Sequence, residues 1–237
     1  MSCKGQTNIV LSEFEEEGAR WLIAGWAAML ESLVPPEVVL EEARRDIDGE
    51  LHGPELDAIA NAREGRRREF TTGRICARRA LAVLGVSAVA LPRRRDGSVG
   101  WPEGVVGSIT HCIGFRAAAV GDAARFSAVG IDAEPNEPLP EGVLQSIAGP
   151  DEQRWINGYP SGRVHWDRLL FSAKETIVKV AGEPIGDWKW IVVRFFPPQN
   201  SYVAWLPVGK ARLVPGRWTM ADRLLATAVV LSAGDCS

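Results

Sequence analysis

Asp132 and Glu134 stand one residue apart at the end of the apolar run Val129-Gly130-Ile131. Side chains alternate along a strand, so both carboxylates project from the same face. Two like charges held side by side repel unless a cation lies between them. A third carboxylate, Glu175, lies in the segment Phe171-Ser172-Ala173-Lys174-Glu175-Thr176-Ile177-Val178-Lys179, flanked by two lysines. Asp132, Glu134 and Glu175 together make a hard, oxygen-rich set of the kind Mg²⁺ accepts alongside waters and substrate phosphate. Lys174, Lys179 and the arginines upstream supply cations for a polyphosphate, and this combination suits phosphoryl transfer.

Each part taken singly has a blander reading. Gly-x-Asp-x-Glu alone is weak. Ser172-x-x-Glu175 has the form of a capping box, although the apolar stripe runs two turns upstream of Ser172 and argues against a helix start there. Glu175 and Lys179 also fit a surface i,i+4 pair, worth only a few tenths of a kcal/mol. It is the set that points to chemistry.

Elements that could position this set are legible from periodicity. Trp166, Leu170, Ala173, Ile177 and Val180 recur at steps of four and three, which predicts a helix over 164–180 with Glu175 and Lys179 on the opposite face. Strand-like runs occur at 105–111, 116–120 and 126–131, with Gly121-Asp122 as a turn and the last run leading into the carboxylates. Ser108 and Thr110 would share one strand face, with His111 at its end; His111 reads equally well as a buried, satisfied histidine.

Upstream, 63–84 reads as a helix with Phe70, Ala77, Ala80, Leu81 and Leu84 on its apolar side and Gly85 as its stop. Arg66, Arg67, Arg68, Arg74, Arg78 and Arg79 crowd it. Ideal geometry superimposes Arg67 on Arg74, and the row is either a solvated basic face or an anion site. Gly53-Pro54 marks a helix start, 37–40 a short strand, and Asp96-Gly97 the tip of an arginine-rich turn. The proline-containing stretch after Pro135 reads as irregular, and 190–196, 202–206, 217–220 and 224–231 read as strands. Each half holds a long helix and several strands. The expected class is therefore α+β, built from two similar units.

The bulk numbers exclude several classes. At 237 residues the chain suffices for one large domain or two small ones. A net charge of -3 gives no general push toward nucleic acid or membrane, so a basic site must be local. Cys3, Cys76, Cys112 and Cys236 are widely spaced, which speaks against zinc or a secreted disulfide framework and makes the cytoplasm the default. The apolar stretch 21–30 is too short to span a bilayer and follows the acidic run 13–17, so a core-facing or partner-facing helix is expected.

In chain order, Arg66-Arg67-Arg68-Glu69-Phe70 with Gly73-Arg74-Ile75-Cys76-Ala77-Arg78, then Gly107-Ser108-Ile109-Thr110-His111, then 129–134, then 171–179, resemble the 4′-phosphopantetheinyl transferases. The likeness is to the long, single-chain type of the surfactin- and enterobactin-associated, actinobacterial branch, and it runs from about Leu33 to the C-terminus.

The resemblance implies two α+β subdomains related by a pseudo-twofold axis, with the active site at their interface. It implies Mg²⁺ or Mn²⁺, coenzyme A as co-substrate, and transfer of its phosphopantetheine arm to a serine of an apo carrier protein, releasing adenosine 3′,5′-bisphosphate. Such a holo-carrier-protein synthase serves fatty-acid, polyketide or nonribosomal-peptide assembly, siderophore biosynthesis included, and which carrier is served stays open.

Carried over residue by residue, the resemblance makes Asp132, Glu134 and Glu175 the metal site. Glu175 becomes the general base, and Lys179 the group that meets the pyrophosphate and stabilises the leaving group, with Lys174 as a second contact. Arg66, Arg74 and His111 would hold the 3′-phosphate, Arg93 would lie near the adenine, and Ser108 and Thr110 would line that pocket. Ideal helical geometry sets Arg66 about 80° from Arg74, so Arg67 stays in play. Thr176, Val178 and Ala181-Gly182 depart from the family's usual helix and bear on carrier preference.

The expected organisation is a helical N-terminal extension at 1–33, an N-terminal subdomain at 34–125 and a C-terminal subdomain at 126–237, acting as a monomer. Two other readings are a non-catalytic module that binds coenzyme A or a carrier, and a nucleic-acid binder using the arginine helix. The acidic balance and the lack of a recognisable nucleic-acid module oppose the second.

Overall fold

The computed structural model describes residues 28–87, 89–160, 162–206 and 212–236. Most of the expected N-terminal extension therefore lies outside the described residues. Its last part is α1 (Ala28–Glu31), and Met29, Leu30 and Leu33 are buried in a core between the two sheets.

The first sheet is antiparallel in the order β1-β3-β2, from β1 (Val39–Ala43), β2 (Val105–Cys112) and β3 (Phe115–Asp122). A short helix, α2 (Gly53–Asp57), and the long α3 (Glu64–Val83) connect β1 to β2. α3 buries Cys76, Ala77, Ala80 and Leu81 against Ala43, Ala118 and Val120, and the small strand residues let the helix come close. Gly85, at φ 76°, donates to the Ala82 carbonyl while Val86 donates to that of Leu81. This Schellman arrangement ends the helix where the sequence predicts.

The second sheet runs β4-β8-β7-β6-β5, all antiparallel: β4 (Phe126–Pro135), β5 (Val192–Phe196), β6 (Ser201–Leu206), β7 (Arg212–Ala221) and β8 (Leu224–Ser232). Between β4 and β5 lie α4 (Val143–Ile147), α5 (Pro150–Gly158) and α6 (Trp166–Val180). The sequence reading treats 136–163 as irregular and so misses α4 and α5, both too short to display a full apolar stripe. The stripe of α6 packs on Val193, Phe195, Tyr202, Ala204, Leu225 and Val229.

The same topology occurs twice. A strand, a helix and a hairpin give the order β1-β3-β2 in one sheet and β4-β8-β7 in the other, with α3 and α6 in matching places. The two α+β units expected from sequence are present, and β5 and β6 are additions to the second. The sheets meet along β2 and β4, where side chains replace a backbone ladder. Ser108 Oγ accepts from Ile131 N–H at 3.1 Å, and Thr110 Oγ1 accepts from Ala133 N–H at 3.1 Å. Among the described residues no helix is long and apolar enough to cross a membrane.

Candidate active site

Gly130 sets the approach of α6 to β4. A Cβ there would lie 2.6 Å from Val180 Cγ1 and 2.8 Å from the Thr176 carbonyl, so only glycine lets the helix pack this closely. Asp132 follows on the same strand face and is 5% exposed. Its Oδ1 accepts from Thr110 Oγ1 at 3.1 Å and from Lys179 Nζ at 2.9 Å, and Lys179 also donates to the Ile131 carbonyl at 2.9 Å. Its Oδ2 is buried with no hydrogen-bond partner. An unpaired carboxylate oxygen in a dry site is costly unless a cation comes to it.

Glu134 accepts from Arg168 Nη1 at 3.0 Å. Burial pushes its carboxyl up to about 7, the negative charges of Asp132 and Glu175 add to the rise, and Arg168 opposes it. Burial raises Glu175 as well; Lys179 pulls it down and Asp132 pushes it up. The three sequence-predicted carboxylates thus sense one another's charge across the β4–α6 seam. They are not drawn into a closed cage: among the described residues no three His, Cys, Asp or Glu side chains are gathered to ligate an ion. Lys179 occupies Asp132, and Arg168 occupies Glu134.

A second cluster surrounds α3. Arg74 is 5% exposed, with Nε donating to the Leu91 carbonyl at 2.8 Å and its guanidinium 4.2 Å from the Phe70 ring centroid. Burial lowers it to about 10; Glu55 opposes the fall, and Arg66, Arg78 and Arg93 add to it. Several arginines within reach of one another are an electrostatic liability that an anion relieves. Arg66 Nη1 meets Nε2 of His111, which lies at the edge of β2, while Glu69 Oε2 is 3.5 Å from His111 Nδ1. Arg66 can only donate, so Nε2 is the acceptor and the ring is neutral with its proton on Nδ1. Burial and then the Arg66 charge lower the His111 pKa, which agrees with that tautomer. Arg93 lines an open groove with Pro54, Asp57 and Pro92.

Comparison with known proteins follows the same two halves. A family model described as the 4′-phosphopantetheinyl transferase N-terminal domain matches residues 54–121, and one described as the 4′-phosphopantetheinyl transferase superfamily matches residues 128–223. The chain is 41% identical over 221 residues to the 4′-phosphopantetheinyl transferase Svp of Streptomyces mobaraensis, covering 86% of this chain and 90% of that protein. This chain belongs to the 4′-phosphopantetheinyl transferase superfamily. It is also 38% identical over 227 residues to Npt of Nocardia iowensis (85% of this chain, 99% of that one). To PptT of Mycobacterium tuberculosis it is 34% identical over 220 residues (86% and 97%). Its reaction class is accordingly transfer of a phosphopantetheine arm to carrier proteins.

Within this transferase several expected contacts fall elsewhere. Lys174, expected on the pyrophosphate, is fully buried on the side of α6 that faces α5. It donates to the Ile147 carbonyl and Glu152 Oε2, each at 2.6 Å, and to the Trp188 carbonyl at 3.1 Å. All three protons are committed, so Lys174 is a structural pin and not a phosphate contact. Ser108 and Thr110, expected to line the nucleotide pocket, are 4% and 3% exposed, and their hydroxyls are spent on β4. They join the sheets and orient Asp132. Arg67 turns from Arg74 to the Ile59 carbonyl at 3.0 Å, leaving Arg66 as the neighbour whose charge Arg74 feels.

Two functional-site residues escape the sequence reading. Arg168 neutralises Glu134 and donates to the Glu137 and Pro138 carbonyls, holding the chain that leaves β4. Its position two residues into α6 opposite an acidic strand end was the available signal. Glu55, fully buried, accepts from Arg78 and from Leu91 N–H at 2.8 Å each. Glu55 and Arg74 thus grip the two polar groups of one peptide residue, Leu91, and fix the guanidinium.

Proposed function

We propose that this transferase takes its phosphopantetheine arm from coenzyme A in the seam between the sheets, using Asp132, Glu134, Glu175 and Lys179 at the reacting end. Arg66, Arg74, Arg93 and His111 would hold the nucleotide end. The observation that carries this reading is Asp132: a buried carboxylate with one oxygen unpartnered, one on a lysine, and two further carboxylates in its field. The division of the chain near residue 125 belongs to the same reading, supported by separate family models on either side of it.

The residues present fit a divalent cation, Mg²⁺ or Mn²⁺. Mg²⁺ needs only one or two protein carboxylates when waters and phosphate oxygens complete its shell, so no closed cage is required. Asp132, Glu134 and Glu175 would hold it, and there it would offset charge on the pyrophosphate.

The chain's own groups supply the rest. Glu175, with its basicity raised by burial, accepts the proton of the carrier serine. The serine oxygen forms a bond to the phosphorus bearing the pantetheine arm, and the bond from that phosphorus to the nucleotide phosphate breaks. Lys179 leaves Asp132 to stabilise the departing oxygen of adenosine 3′,5′-bisphosphate. The arginine cluster fixes the nucleotide so that the pyrophosphate meets the carboxylates.

The acceptor is an apo carrier protein or domain, and the enzyme acts as a cytoplasmic monomer, in keeping with the free, buried thiols of Cys76 and Cys112. The test is incubation with coenzyme A, Mg²⁺ and a panel of fatty-acid, polyketide and nonribosomal-peptide carriers. A carrier gaining the mass of one phosphopantetheine is the expected result; binding of coenzyme A without any gain would reduce the chain to a binding module.

A further inference from the structure

One face of the second sheet is covered only in part. Register places Ala226 and Ala228 of β8, Arg217 and Thr219 of β7, Ser201 and Val203 of β6, and Arg194 and Phe196 of β5 on the same side. At β4 and β8 that side is buried under the first sheet and α1. Farther out the described residues leave it open. Val192, Trp205 and Leu213 lie directly across from one another on adjacent strands and are exposed, as are Phe196 and Pro215. Leu213 is 66% and Trp205 42% exposed. An apolar row crossing three strands normally has a partner.

We propose that residues 13–27 of this chain dock on that open face of β7, β6 and β5. α1, which begins at Ala28, touches both β7 and β8 and so lies at the line where the covered part of the sheet gives way to the bare part. Crossing from β7 to β5 requires roughly 10 Å, within reach of the seven residues 21–27 in any conformation. Their side chains suit the surface. Trp21, Leu22, Ile23 and Trp26 are apolar, and Leu22, Trp26 and Leu30 follow a four-residue step that ends at a residue already buried in the core.

Charge agrees. Glu13, Glu15, Glu16 and Glu17 precede the apolar part, whereas the open face carries Arg217 and, among the described strand residues, no acidic side chain; Arg194, at its β5 edge, is stacked 4.5 Å from the Trp155 ring centroid of α5. A second copy on this face would set Arg217 against its own counterpart. A carrier protein there would sit on the wrong side of the sheet, since Asp132 lies opposite Thr227 on the α6 side. A segment tethered to α1 has a high effective concentration at this face.

The test labels a cysteine introduced by Trp205→Cys in the full chain, with alkylation at position 205 followed by peptide mass. Leu22→Glu with Trp26→Glu is expected to raise the labelling rate at least about tenfold by releasing local protection. Arg217→Glu is expected to raise it too, and Glu16→Lys with Glu17→Lys to restore protection in that background. Equal rates with and without the Leu22 and Trp26 changes would overturn the proposal. So would protection that fades on dilution, which means a second copy, or protection that appears only with apo carrier protein. Unchanged circular dichroism separates release of the segment from unfolding.

Discussion

Lys179 Nζ sits 2.9 Å from Asp132 Oδ1, on the neighbouring strand, rather than pairing with Glu175 one turn earlier on its own helix. The helix lysine is therefore stored on a strand carboxylate and leaves Glu175 without a tight counter-ion. Lys179→Ala is expected to lower kcat by roughly 10²–10³-fold, the size of one lost charge-stabilising donor, with a smaller change in coenzyme A affinity. Glu175→Gln, which keeps the shape and removes the basic oxygen, is expected to abolish transfer. A mass-shift time course measures both, and near-normal turnover in Glu175→Gln would remove it as the base.

Arg74 and Arg67 separate binding from scaffolding. Arg74→Ala is expected to raise the KM for coenzyme A about tenfold or more, because the proposed charge-assisted phosphate contact would be lost, while kcat for the remaining complex changes less. Arg67 is spent on the Ile59 and Ala60 carbonyls, so Arg67→Ala should lower the melting temperature and leave that KM in place. The reverse pattern would return Arg67 to the nucleotide site.

Lys174 and Glu152 form a buried pair in which burial is the chief perturbation: it lowers the lysine and raises the carboxyl. Lys174→Met leaves Glu152 buried without its cation and is expected to cost about 3–5 kcal/mol of stability. Adding Glu152→Leu should recover part of that loss, since an apolar pair needs no charge compensation. Denaturant unfolding measures both variants. If Lys174→Met instead weakened coenzyme A binding at unchanged stability, the lysine would belong to the active site after all.

The residues that were legible in the sequence were those whose position follows from local periodicity. The α6 stripe fixed which face carries Glu175 and Lys179, strand alternation put Asp132 and Glu134 on one side, and Gly85 marked a helix end. What was not legible depends on partners far away in the chain. A lysine adjacent to Glu175 looks like a phosphate ligand until Glu152, on a helix too short to show a pattern, is seen to claim it. Ser108 and Thr110 look like pocket hydroxyls because nothing local reveals that their strand lies beside β4. Arg66 and Arg67 are adjacent, and only the carbonyls at Ile59 and Ala60 decide between them.

Glu42 gives the fold a dependence on pH that is separate from catalysis. It stands on β1 facing α1, where one oxygen accepts from Leu30 N–H at 3.1 Å and the other is buried without a partner. Burial raises its carboxyl from 4.5 to about 7; the Leu30 bond and then Arg44 oppose the rise, and Glu31 adds to it. The folded state thus holds this proton more tightly than the unfolded state. Its stabilising contribution is complete below about pH 4.5, falls as the pH rises and is lost above about pH 7, where both states are ionised. The shift bounds the loss at about 3 kcal/mol. Glu42→Gln keeps an acceptor for Leu30 N–H and carries no charge. Its melting temperature is expected to match that of the parent near pH 4.5 and to exceed it by a growing margin up to pH 7, then by a constant one. A margin that does not vary with pH would mean that Glu42 ionises in the folded protein as it does in the unfolded chain.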